Sequence, residues 1–115
     1  MATAAGLVLT LTIGQATADR AQWMGEGWFG IMVHYLIGPQ GETPEERTAA
    51  FNATVNGFDL DGFMAQVESM GADWLIFTIG QNTNYYCSPN AYLDARAPGH
   101  TSERDLLLEI ARACE

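Results

Sequence analysis

The chain has 115 residues, of which 48% are hydrophobic and 17% charged, a composition typical of a folded domain rather than a disordered segment. Its 14 acidic side chains outnumber the 5 basic ones, all arginine, so that the formal net charge is −9. This balance argues against binding to nucleic acid or to an anionic membrane surface, because both need clustered Lys and Arg. A membrane-spanning helix needs about 18 consecutive apolar residues, and the sequence contains no such run.

The N-terminal residues 1–18 have the pattern of a secretory signal peptide. Residues 7–13 are mostly apolar, and Ala16-Thr17-Ala18 provides the small-x-small pattern of a cleavage site. We therefore expect residues 19–115 to form the mature domain and the protein to be secreted or periplasmic. No basic residue precedes Arg20, and the alternation of side chains over residues 7–13 also fits a β-strand.

The next two predicted elements are a helix and a strand. Asp19 is placed to cap a short helix over residues 19–26, with Trp23 facing inward. Residues 29–37 form a nearly unbroken apolar run. Such runs are typical of strands that are covered on both faces in a parallel sheet.

Two helices are predicted in the connection that follows. Thr43, Pro44 and Glu46 have the spacing of a capping box with proline at the first helical position, so a short helix should begin at Pro44. Asp59 is the expected cap of a longer helix that ends at a left-handed Gly71. The apolar residues of this second helix are a staple pair, Phe58 and Phe63, with Met64, Val67 and Met70.

A second buried strand over residues 74–79 and a last helix complete the predicted elements. The long connection 80–101 separates them, and the helix is expected to open at Ser102. Its apolar face comprises Leu107, Ile110, Ala111 and Cys114. This placement predicts a buried thiol at Cys114. The sequence does not decide whether Cys114 forms a disulfide with Cys87, because that depends on the distance between them.

The order β-α-β-α predicts an α/β fold with a parallel sheet and right-handed crossovers. Both connections that leave the carboxyl ends of the strands are about 20 residues long, whereas such loops usually have about 2–6. This asymmetry fits a partial (β/α)₈ TIM barrel made of the first two βα units, whose active site would lie on the long loops. An open doubly wound sheet is the alternative. Since two strands cannot bury both faces, we expect the chain to be part of a larger domain.

Candidate binding residues follow each predicted strand. His34 lies at the end of the first strand, where a side chain would point into the mouth of a barrel, although a lone histidine can also be a core residue. Residues 80–86 combine amides with tyrosines, including Gln81, Asn82 and Tyr85. Amides bind hydroxyls and aromatic faces pack on C–H groups, so this mixture suits a carbohydrate. The alternative is a turn-rich loop whose Asn side chains satisfy the backbone.

No cofactor and no metal site are predicted. The glycines of residues 25–30 match G-x-G-x-x-G, but they lead into a predicted strand instead of a helix, which argues against the dinucleotide mechanism. The two histidines, His34 and His100, are far apart, and no neighbouring carboxylate or thiol has the spacing of a metal ligand.

Four segments together resemble the α-L-fucosidases of glycoside hydrolase family 29. Residues 29–35 (FGIMVHY) are similar to the first barrel strand of that family, F-G-I-F-I-H-W-G, and residues 58–63 (FDLDGF) to its F-D-A-D-E-W helix start. Residues 71–78 (GADWLIFT) resemble its G-A-K-Y-x-V-L-T strand, and residues 104–107 (RDLL) the R-D-L-V that opens its second barrel helix. The order and spacing are those of the first quarter or third of the barrel.

The resemblance implies a retaining glycoside hydrolase whose nucleophile and acid/base carboxylate lie beyond Glu115, so no catalytic residue is expected in this chain. It places His34, Tyr35, Gln81, Asn82 and Tyr85 at the substrate. Where the family has K-H-H-D-G-F after the second strand, this chain has GQNTNY at residues 80–85. Tyr35 stands where the family has a Trp after the histidine of the first strand. A non-catalytic carbohydrate-binding relative and a small secreted α/β protein are the alternatives.

Overall fold

The computed structural model describes residues 21–115, so the predicted signal peptide and the Asp19 cap lie outside the described residues. Two strands and five helices alternate along this part of the chain. The strands are β1 (Gly30–Val33) and β2 (Trp74–Phe77). The helices are α1 (Gln22–Glu26), α2 (Pro44–Asn56), α3 (Leu60–Met70), α4 (Ala91–Asp94) and α5 (Leu106–Ala113). No helix within residues 21–115 is long and apolar enough to cross a membrane.

Strands β1 and β2 pair in parallel, with Gly30 opposite Trp74 and Val33 opposite Phe77. Both are shorter than the predicted 29–37 and 74–79, because the backbone beyond Val33 leaves the ladder and Ile37 turns into the core. The predicted parallel sheet is therefore present, with two strands in the described residues. Its extension to a TIM barrel stays a prediction.

The capping box predicted at the start of α2 is confirmed. The Glu46 backbone N–H donates to Thr43 Oγ1 at 3.1 Å, and the Thr43 N–H donates to Glu46 Oε2 at 3.2 Å. The Thr43 N–H and the Glu42 N–H, which donates to the same oxygen at 2.8 Å, lower the pKa of the Glu46 carboxyl, since they favour its charged form. The helix has 13 residues, more than the short helix predicted, because Phe51 and Val55 anchor its C-terminal half in the core.

The limits of α3 also follow the sequence. The Asp59 side chain accepts a hydrogen bond from the Gly62 N–H at 3.0 Å, and Gly71 ends the helix with φ of 66°. The Phe58 and Phe63 rings lie 5.4 Å apart, as expected for a staple. The predicted apolar face is only partly covered, because Val67 is buried whereas Met70 is exposed.

Helix α5 begins at Leu106, later than the predicted Ser102. The buried Ser102 hydroxyl donates to the Arg104 carbonyl at 2.6 Å, so these residues form a turn, and Asp105 caps the helix by accepting from the Leu108 N–H at 3.0 Å. The cap therefore lies three residues beyond the predicted start.

The prediction of a buried thiol at Cys114 is wrong. Helix α5 ends at Ala113, and its buried positions are Leu106 and Ile110, so Cys114 lies exposed at the C-cap. Cys87 is buried instead, and both thiols are free.

The predicted apolar face of α5 lines an open groove of about 460 Å³. The groove is bordered by Trp23, Trp74 and the four residues of that face, Leu107, Ile110, Ala111 and Cys114. Trp23 is 54% exposed and does not face inward as predicted.

The hydrophobic core lies between one face of the sheet and the helices. Its buried members come from four parts of the chain and are Ile37, Phe51, Val55, Tyr85, Cys87, Leu106 and Ile110. Leu75 and Phe77 of β2 pack against this cluster. Side chains alternate across a strand, so Met32 and Ile76, paired in the sheet, lie on the opposite face and are 56% and 41% exposed.

Helix α4 interrupts the long connection after β2 and had no counterpart in the prediction. Its cap is Asn90, whose side-chain oxygen accepts hydrogen bonds from the Tyr92 and Leu93 N–H groups, both at 3.1 Å. The connection is closed at its base, because the Tyr86 N–H donates to the His100 carbonyl at 2.9 Å. The predicted loop is thus partly helical, and a backbone hydrogen bond joins its two ends.

The two thiols should differ sharply in reactivity. Burial raises the pKa of the Cys87 thiol to about 11, and thiolate is the reactive form, whereas Cys114 is exposed. We expect a thiol-specific chromogenic reagent at neutral pH to modify one thiol quickly in the native protein and the second only after denaturation. Cys114→Ser should abolish the fast phase, and a fast phase that survives this substitution would contradict the burial of Cys87.

Candidate functional site

The candidate site lies at the carboxyl end of the parallel sheet, where one side chain from each strand end meets the other. His34 directly follows β1, and Gln81 lies four residues beyond the end of β2. His34 Nδ1 and Gln81 Oε1 form a short hydrogen bond. The fold therefore joins two residues that are 47 positions apart and that were both predicted as binding residues.

Thr78 fixes the backbone on both sides of His34. Its N–H donates to the Val33 carbonyl at 3.0 Å, and its hydroxyl accepts from the Tyr35 N–H at 2.8 Å. The backbone is therefore hydrogen-bonded both before and after His34. Sequence reasoning missed Thr78, although a hydroxyl residue directly after a buried strand could have suggested a strand-end clamp.

Tyr35, predicted at the substrate, is partly buried and packs against the core on the helix side of the sheet. Its ring lies 5.4 Å from that of Phe58 and 5.3 Å from that of Phe77. The hydroxyl is buried and has no hydrogen-bond partner among the described residues. Desolvation raises the pKa of this phenol. The physical reason for the correction is that exposed and covered positions keep alternating past the end of β1, so His34 is exposed while Tyr35 packs against the core.

Tyr85, also predicted to touch substrate, is buried. Its ring lies 5.0 Å from that of Phe51 and stacks on His100 with 4.5 Å between centroids. A ring enclosed in this way has no free face for a sugar. The prediction took it for a surface platform because the surrounding residues are polar, and sequence could not reveal that this loop folds back onto α2.

Asn82 is exposed beside the histidine–glutamine pair. Its φ is 60° and that of Asn84 is 58°, the left-handed region that Asn tolerates better than most residues. These two backbone turns explain part of the Asn content of the loop without a ligand. Of the five predicted binding residues, the structure joins His34 and Gln81, leaves Asn82 exposed in the adjacent loop, puts Tyr85 in the core and packs Tyr35 against it.

The loop that carries Gln81 is tied to the core at its start. The Cys87 N–H donates to the Ile79 carbonyl at 2.9 Å. A Cβ at Gly80 would lie 2.3 Å from the Tyr85 carbonyl oxygen, so only glycine fits between these two stretches of backbone. The position of Gln81 is thus set by packing on both sides.

An imidazole and an amide can bind hydroxyl groups, but they are not the two carboxylates that glycoside cleavage requires. Within residues 21–115, no three His, Cys, Asp or Glu side chains are grouped so that they could hold a metal ion. Residues 25–30 lead into β1, so the glycines do not precede a helix. The pair can therefore bind a ligand that carries hydroxyl groups.

Comparison of the chain with protein-family models, with curated proteins and with solved structures gives no match. The geometry of the strand ends is therefore the basis on which a function can be proposed.

Proposed function

We propose that residues 19–115 form the first two βα units of a (β/α)₈ glycoside hydrolase of the α-L-fucosidase type. The observation that carries the proposal is the contact between His34 and Gln81 at the carboxyl ends of two parallel strands. Barrel enzymes bind their substrates at this end of the sheet, on the loops that follow the strands. Export by the predicted signal peptide would give a secreted or periplasmic location.

The exposed face of the sheet supports a barrel over an isolated domain. Met32 and Ile76 are paired apolar residues with about half of their surface open. The Trp74 ring lies directly over Gly30 on the same face, where a Cβ would come within 1.9 Å of it. In a closed barrel this face would be the packed interior, with His34 above it at the mouth.

The chemistry of the pair suits a sugar hydroxyl. A neutral imidazole accepts one hydrogen bond and donates another, and the remaining N–H groups of the Gln81 amide can donate. Cleavage with retention requires two carboxylates about 5–5.5 Å apart, which by the resemblance would come from outside these residues. This chain would contribute substrate binding, and hydrolysis would belong to the complete barrel.

The second candidate is a non-catalytic carbohydrate-binding protein. It is favoured by the amides of Gln81 and Asn82, which stand where the fucosidases have two histidines. An amide pair keeps hydrogen-bonding capacity and loses the ionisable groups, as a binding protein would allow.

The test is an assay of the full-length natural protein with 4-nitrophenyl α-L-fucoside and a panel of other aryl glycosides, together with titration of the free sugars. If the proposal holds, one glycoside is hydrolysed, and His34→Ala lowers kcat/KM about tenfold or more, in line with the loss of one hydrogen bond of about 1.5 kcal/mol. Gln40→Ala, at an exposed glutamine in the same connection, should leave the activity unchanged. Binding without hydrolysis would favour the second candidate, and the absence of both would refute the proposal.

A further inference from the structure

We propose that Gln81 is a positioning residue that holds His34 in the tautomer with the proton on Nδ1, so that Nε2 offers a lone pair to a hydroxyl donor. Only the identity of the ligand, a sugar hydroxyl, rests on the proposed function. The tautomer itself follows from the contact between the two side chains.

The direction of the hydrogen bond determines the tautomer. The atom of Gln81 that faces the ring is Oε1, which has lone pairs and no proton. Nδ1 must therefore donate. A neutral imidazole carries a single N–H, so Nε2 is left as an acceptor.

The surrounding contacts hold both partners in this arrangement. Thr78 binds the backbone on both sides of His34, with N···O distances of 3.0 Å to Val33 and of 2.8 Å from Tyr35 to its hydroxyl. On the other strand end, Gly80 is pressed against the Tyr85 carbonyl, which fixes where Gln81 emerges. Because neither backbone can shift easily, the Gln81 side chain stays within hydrogen-bond reach of the ring nitrogen.

The tautomer decides what the site can recognise. An Nε2 lone pair accepts a hydrogen bond from a hydroxyl or an amine, and it repels the oxygens of a carboxylate or a phosphate. A histidine that displayed Nε2–H would have the opposite preference. Gln81 thereby selects for a hydrogen-bond donor, as a neutral sugar with its many hydroxyls presents.

His100 provides an internal reference. Its Nδ1 lies 2.8 Å from the Asn84 backbone carbonyl oxygen. A backbone carbonyl can only accept, so this ring must also carry its proton on Nδ1. The two histidines of the chain should therefore show the same tautomer, one held by a side chain and the other by the backbone.

The experiment is a long-range ¹⁵N–¹H correlation spectrum of the ¹⁵N-labelled protein at a pH where both imidazoles are neutral. For His34 we expect protonated Nδ1 and unprotonated Nε2, with the same pattern for His100. Gln81→Leu removes the acceptor, and His34 should shift toward the Nε2–H form that a free histidine side chain prefers in water, while His100 stays unchanged. Gln81→Glu, whose oxygens only accept, should keep the proton on Nδ1.

An Nε2–H tautomer for His34 in the unaltered protein, or no change in Gln81→Leu while His100 keeps its own signals, would overturn the inference. Gln40→Leu, which removes a glutamine whose amide binds the Gly38 carbonyl instead, is the matched control and should leave both rings as they are. Titration with L-fucose separates the two proposals. If the tautomer is found but no sugar shifts the His34 signals, the proposed function fails and the role of Gln81 stands.

Discussion

Replacing Phe51 with alanine should lower the free energy of unfolding by about 3–5 kcal/mol, the usual cost of removing a fully buried aromatic ring. The Phe51 side chain has no exposed surface, and its ring lies 5.0 Å from that of Tyr85. It therefore joins α2 to the long connection after β2. Denaturant-induced unfolding, followed by tyrosine and tryptophan signals, measures the change.

Two variants show whether the loss comes from the cavity. Phe51→Leu keeps most of the buried apolar volume and should cost less than the alanine variant. Thr54→Ala changes an exposed position of the same helix, where the hydroxyl bonds only the Ala50 carbonyl at 2.9 Å, and should be nearly neutral. An alanine variant of Phe51 within about 1 kcal/mol of the original protein would contradict the described core.

Replacing Arg104 with alanine should cost about 2–3 kcal/mol, because it leaves carbonyl groups at the end of a helix without their charged donor. Arg104 Nη1 donates to the carbonyls of Val55 at 2.9 Å, Asn56 at 3.2 Å and Phe58 at 3.1 Å. The same guanidinium binds Glu109 Oε2 through Nε at 2.9 Å and Nη2 at 2.6 Å. It thus fastens the start of α5 to the end of α2. The free energy of unfolding of both proteins gives the cost.

Arg104→Lys should recover only part of the loss, since an ammonium group cannot reproduce the planar fork of donors. Arg112→Ala, at an exposed arginine in the last turn of α5, should change little. Equal effects of the two alanine substitutions would contradict the role of Arg104.

The ion pair also predicts a pH dependence. The guanidinium lowers the pKa of the Glu109 carboxyl, so the stabilisation from the charged pair is present above the ordinary glutamate pKa and is lost as the pH falls through the lowered value. In Arg104→Ala this part of the acid dependence should disappear. Unfolding measured across that acidic range tests it, and an unchanged acid limb would argue against the pair.

Local signals in the sequence predicted much of the helical structure. The box at Thr43 and Glu46, the Asp59 cap and the left-handed Gly71 depend on side chains and backbone within a few residues of one another. Nearly unbroken apolar runs likewise located β1 and β2. The lengths were less accurate, because the end of a strand or helix depends on distant partners such as Ile37 in the core.

The candidate site could be predicted in part. His34 and Gln81 followed from their positions after two parallel strands, since the carboxyl ends of such strands meet at one edge of a sheet. Tyr35 and Tyr85 were assigned to the same surface, yet Tyr85 is a core residue and Tyr35 packs against the core. Strand alternation turns the first away, and the folding of the loop onto α2 encloses the second.

By itself, the sequence determined the acidic charge, the helix caps and the two strands, because these depend on composition and on neighbours along the chain. Only the tertiary structure decided that Arg104 closes α2, that Cys87 is buried while Cys114 is exposed, and which polar side chains meet at the strand ends. These contacts join residues about 50 positions apart. Their formation depends on how the helices pack on the sheet, which no local pattern encodes.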